Sequence, residues 1–141
     1  MKSHRLFKLF VITAIVSLLV VCSSVPDEIE EGLTPMEYFQ RAQEASDANR
    51  YALSMEYYEK FQEQYPEERE RHVWAEYEIA LLYHKMGKDQ IALERFDALL
   101  GRYESGEPDL PEGPKILAEK VKARIEEKLA REEPSEESSG D

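Results

Sequence analysis

Apolar residues along this chain fall into one long run, Leu9 to Val21, interrupted by Thr13 and Ser17 alone, followed by five stretches with helical spacing. The first begins at Thr34-Pro35-Met36-Glu37, where a capping hydroxyl precedes a proline at the first helical position. The carboxylate three residues after the cap can return a bond to the cap's N–H. The pattern breaks at Asp47-Ala48-Asn49, where Asn accepts the left-handed conformation that ends helices, so the spacing predicts helices over 35–48 and 50–65. Pro66 stops the second, Glu67 to Arg71 reads as a charged connector, and a third helix runs from about His72 to Met86, closed by Gly87. Asp89 is placed to cap a fourth helix, in which Ile91, Ala92, Phe96, Leu99, Leu100 and Tyr103 make one buried stripe. Two glycines and two prolines between Glu104 and Gly113 mark a loop. Pro114 then opens a fifth helix with Ile116, Leu117, Val121, Ile125 and Leu129 on one face. No stretch reads as a strand, and the expectation is an all-α stack with short loops.

The ends differ from this middle. Residues 1–21 hold Lys2, Arg5 and Lys8, no acid, and the apolar run, which is the layout of a signal peptide. A helix over that run would be about 20 Å long, short of the roughly 30 Å of a bilayer core. Cys22, the chain's one cysteine, follows at once, so the domain has no internal disulfide and rests on packing. Residues 22–33 read as an acidic tether, 34–131 as the helical domain, and 132–141, with Glu132, Glu133, Glu136, Glu137 and Asp141, as a disordered acidic tail. Losing the first 21 residues takes the formal charge from −12 to −15, which argues against nucleic acid as a partner.

Leu19-Val20-Val21-Cys22 resembles the lipobox of bacterial lipoproteins, with Val21 where that family usually has a small residue. The resemblance implies cleavage before Cys22, diacylglycerol on its thiol and an acyl chain such as palmitate on its new amino group. Several acyl chains on one residue hold a protein stably on a membrane. Ser23 after the cysteine, with no Asp there, implies the outer membrane, facing the periplasm. An unmodified cysteine ending a signal segment or an uncleaved anchor is the alternative.

The two helix pairs share an order of small residues, a break at Asn or Gly, then aromatics and a stop, which is an internal repeat. Ile79, Ala80, Tyr83, Gly87, Ala92 and Phe96 fall at the spacings of the tetratricopeptide (TPR) motif. Tyr38, Ala42, Ala45, Ser54, Tyr58, Phe61 and Pro66 follow it in the first copy, with Arg41 where an apolar residue is usual. Ser54 and Ala92 stand 38 positions apart, against about 34 for this repeat. Together with Tyr65-Pro66 and Ala75-Glu76-Tyr77, the pattern resembles periplasmic TPR lipoproteins, including the lipoprotein subunit of the outer-membrane β-barrel assembly machine. The resemblance covers residues 34 to about 104 and the lipidation site. It implies two TPR-like helical hairpins and a C-terminal capping helix in a right-handed superhelical stack.

His72 and His84 are the only histidines after residue 21, no other His or Cys completes a metal set with them, and no phosphate loop or nucleophile elbow stands out. No cofactor, metal, small-molecule substrate or enzymatic activity is expected. The resemblance instead turns Met36, Phe39, Trp74, Tyr77 and Leu81 toward a concave groove, where Trp and Tyr are effective anchors for a partner's helix or extended segment. The expected role is a membrane-anchored interaction scaffold with protein partners in the cell envelope. Two alternatives stand beside it: the fifth helix covers that aromatic row as core, or the chain is a self-associating structural lipoprotein without a separate client.

Overall fold

The computed structural model describes residues 29–132. The signal segment, Cys22, most of the tether and nearly all of the acidic tail lie outside the described residues. Five helices follow in order: α1 (Pro35–Asp47), α2 (Tyr51–Gln64), α3 (Arg69–Lys85), α4 (Asp89–Glu104) and α5 (Glu112–Glu132). The described residues contain no strand. Each helix packs on the next, and α5 also reaches back to α3.

Helix α1 starts with the capping box read from the sequence: Glu37 N–H donates to Thr34 Oγ1, and Thr34 N–H donates to the Glu37 carboxylate at 2.8 Å. That bond and the Thr34 hydroxyl hold the Glu37 carboxyl below its usual range. Asn49 turns the chain from α1 to α2 with φ 58, and Gly87 does the same between α3 and α4 with φ 73. Helix α3 begins three residues earlier than its pattern suggested. The charged run there is helical from Arg69, and only Tyr65 to Glu68 form the turn, with Glu68 N–H donating to Tyr65 C=O. The start of α5 is likewise earlier, at Glu112, because a proline within the first turn removes a donor that has no helical partner anyway.

Two apolar clusters fill the fold, and α3 contributes to both. Ala75, Ile79 and Leu82 on one side join Tyr38, Ala42, Ala45, Tyr57, Tyr58 and Phe61 of the first hairpin. Val73, Tyr77 and Ala80 on the other side join Ala92, Phe96 and Leu99 of α4, and Ala118 and Ile125 of α5. Fully buried alanines and Ser54 let the helices approach closely, and aromatic rings fill the space beside them: Phe39 sits edge-on to Tyr58 and Phe61, both at 5.1 Å. Ala42, Ala80 and Ala118 are each fully buried and recur every 38 positions, so α5 extends the interval of the first helices of the two hairpins.

Three expectations about faces are corrected. Ile91 is 39% exposed because it lies one residue, about 100°, off the Ala92-Phe96-Leu99 stripe. The inner face of α5 is Pro114, Ala118, Val121, Ile125 and Leu129, which places Ile116 on the opposite side, 58% exposed, and Leu117 at the edge. The capping role expected of Asp89 is absent: Lys88 is the N-cap, with no side-chain cap bond, and Asp89 points inward.

Candidate interaction surface

Helical spacing lines up Met36, Phe39, Gln43 and Ser46 along α1, and Trp74, Glu78, Leu81 and Lys85 along α3. The two rows meet through side chains. Lys85 Nζ on α3 donates to Ser46 Oγ on α1 at 2.8 Å, while Gln43 Nε2 donates to the Tyr58 hydroxyl of α2 at 2.6 Å. The Glu78 carboxyl beside them is raised by burial, an effect the Gln43 amide and the Lys85 charge only partly offset. Burial also pushes the Tyr58 phenol up, with the Glu78 charge adding to it. The result is a polar seam of an amide, a carboxyl and an ammonium between two apolar shoulders, and these groups suit hydrogen bonds to a backbone laid across them. Sequence reasoning missed the seam. Its signal was present, since Gln43, Glu78 and Lys85 are polar residues at the same helical spacing as the apolar anchors.

The five anchor residues read from the sequence do not form one open row. Met36 is 66% exposed. Phe39 is half-buried against Tyr58 and Phe61 in the first cluster. Trp74, Tyr77 and Leu81 come together in the second cluster, where Tyr77 is 6% exposed, edge-on to Trp74 at 6.3 Å and tilted against Phe96 at 6.1 Å. The first turn of α5 rests on Trp74 at Gly113. Thus α5 takes Tyr77 into the core and covers part of Trp74, leaving Met36, part of Phe39, the polar seam and part of Leu81 accessible.

Ion pairs hold α5 and its loop in place. Asp89, 7% exposed, accepts from His84 Nδ1 at 2.6 Å with one oxygen and from Lys128 Nζ at 2.8 Å with the other, and these partners lower its carboxyl, Lys128 most. Both oxygens are thereby committed to joining α3, α4 and α5. Arg102 binds Glu76 at 2.5 Å and Glu107 at 2.7 Å, and Arg69 adds to Glu107 from the start of α3. With Arg102 as the main cause, the Glu107 carboxyl falls to about 2. The Tyr103 hydroxyl donates to the Pro111 carbonyl at 2.7 Å, closing the same loop. Among the described residues, no group of three His, Cys, Asp or Glu side chains could hold a metal ion, and no helix is long and apolar enough to cross a membrane.

Comparison with known proteins gives a sparse result. No protein-family profile matches the chain, and no solved structure does. A stretch of 99 residues is 31% identical to an uncharacterized protein of Treponema pallidum strain Nichols, covering 68% of this chain and 40% of that protein. The chain therefore spans well under half the length of this relative.

Proposed function

We propose that this chain is a lipid-anchored interaction scaffold of a bacterial cell envelope, attached through Cys22 to the outer membrane and facing the periplasm. It binds a protein partner and catalyses nothing. The supporting observation is the α1–α3 surface: a polar seam, Gln43, Glu78 and Lys85, with Lys85 tied to buried Ser46, flanked by accessible Met36 and half-buried Phe39 and Leu81. In this reading the two hairpins are TPR-like units stacked in a right-handed superhelix and α5 is their terminal cap. The common 38-residue interval of Ala42, Ala80 and Ala118 supports that repeat. The partner lays a helix or an extended segment across the seam, with apolar side chains on the shoulders.

The test is capture from detergent-solubilised envelopes by the native chain and by two folded variants. Met36→Glu with Leu81→Gln alters the seam's shoulders, and Ile116→Glu alters the far side of α5. Loss of a defined partner with the first variant and retention with the second supports the reading. Equal capture by all three sinks it.

Self-association is a second reading, favoured by Ile116, 58% exposed, next to Leu117, 37% exposed. A dimer on sizing that Ile116→Glu converts to monomer would establish it in place of the scaffold.

A further inference from the structure

Residues 29–33 are built into the domain as a strap. Ile29 packs against the first apolar cluster, and Leu33 is 9% exposed. The Glu30 carboxylate meets the Arg41 guanidinium at 3.2 Å, and the Tyr65 hydroxyl donates to the Leu33 carbonyl at 2.8 Å. Arg41 stands where the repeat pattern favours an apolar residue, and the strap gives that departure a physical use: its guanidinium binds Glu30 on the strap and Glu44 on α1.

The side of α1 on which this happens is fixed by helix geometry. Arg41 lies two residues from both Phe39 and Gln43, a rotation of about 200°, so the strap's ion pair is across α1 from the row that includes the polar seam. Any group attached at Cys22 is joined to this side by seven residue steps, which span at most about 25 Å however they are arranged.

On this basis we infer that the partner of the strap side is the lipid surface itself. The strap holds the outer side of α1 toward the membrane and turns the Gln43–Glu78 seam away from it, toward the periplasm. This rests on the lipid anchor proposed above. Without the strap, the free leash would reach Thr34, at the start of α1, and the domain would tumble on its anchor with the seam facing the bilayer part of the time. With it, a partner approaching from the aqueous side meets the seam directly.

The experiment uses the full-length acylated chain in vesicles of phosphatidylethanolamine and phosphatidylglycerol containing a nitroxide-headgroup lipid. Acylation consumes the Cys22 thiol, so single cysteines introduced as Glu31→Cys on the strap and Asp47→Cys on the seam side of α1 label uniquely with bimane. Both positions are exposed. Quenching at position 31 is expected to exceed that at 47 at least threefold. Adding Arg41→Gln with Tyr65→Phe, which releases the strap, is expected to bring the ratio to near one at unchanged helicity. Equal quenching at the two positions on a chain whose Cys22 mass shows acylation overturns the orientation and leaves the anchor standing. A Cys22 mass without acyl groups overturns the anchor and the orientation with it.

Discussion

Trp74 and Gly113 touch so closely that a single added carbon would not fit: a Cβ at position 113 would lie 2.6 Å from Trp74 Cζ2 and 2.8 Å from Cη2. The first turn of α5 lies against the indole because residue 113 has no side chain. Gly113→Ala must displace the indole or lift α5, and overpacking of this kind costs about 1–3 kcal/mol. Trp74 is the chain's one tryptophan, so its emission reports the event. The expected outcome is a red-shifted native spectrum and a lower urea midpoint; an unshifted spectrum with unchanged stability contradicts the contact.

Glu78 offers a test that separates stability from binding. Burial raises its carboxyl above the ordinary value of 4.5, so the folded state disfavours its charge. The stability associated with this group is complete below pH 4.5 and is lost as pH rises through the raised folded value. Glu78→Gln is therefore expected to melt higher than the native chain at pH 7, with the gain vanishing below pH 4.5. If the seam is where a partner binds, the same variant binds that partner more weakly while being more stable. Lower melting at pH 7 would contradict the assignment.

Glu107 behaves in the opposite sense. Its folded-state value of about 2, set mainly by Arg102, lies below 4.5, so its contribution is present above pH 4.5 and lost as pH falls toward 2. Glu107→Gln should lower the melting temperature at neutral pH, with the difference closing between pH 4.5 and 2. A difference that persists unchanged at pH 2 would show that the loop is held by something else.

Ser54 is fully buried between α2 and its neighbours, and its hydroxyl meets no hydrogen-bond partner among the described residues. Ser54→Ala removes an unsatisfied polar group at nearly constant volume and is expected to be neutral or stabilising by up to about 1 kcal/mol in chemical denaturation. Ser54→Leu at the same position is expected to cost about 1–3 kcal/mol, since added methylenes have nowhere to go. A large loss with alanine would reveal a bonded hydroxyl.

What the sequence made legible was local. The Thr34 cap, the turns at Asn49 and Gly87, and the small residues at 42, 80 and 92 follow from backbone preferences and short spacings, and all are present. What it hid were relations between distant elements. Asp89 looks like an N-cap in one dimension, but His84 and Lys128, from α3 and α5, draw its carboxylate inward. Arg41 looked like a defect in a repeat until Glu30 appeared beside it. Tyr77 read equally as a groove anchor or as core under the fifth helix, and the packing of α4 and α5 decides for core at that residue. The polar seam escaped notice because no single residue in it is unusual; only the pairing of Gln43 with Tyr58 and Lys85 with Ser46 makes it a surface.

Because α3 gives Ile79 and Leu82 to one cluster and Tyr77 and Ala80 to the other, neither hairpin owns a complete interior. Thermodynamic cooperativity is thereby wired through one helix. Loosening either cluster strips α3 of part of its support and exposes the apolar face it lends to the other, so the two hairpins are expected to share a single melting transition. A chain built this way is expected to present the α1–α3 surface whole or not at all, because that surface needs both clusters in place.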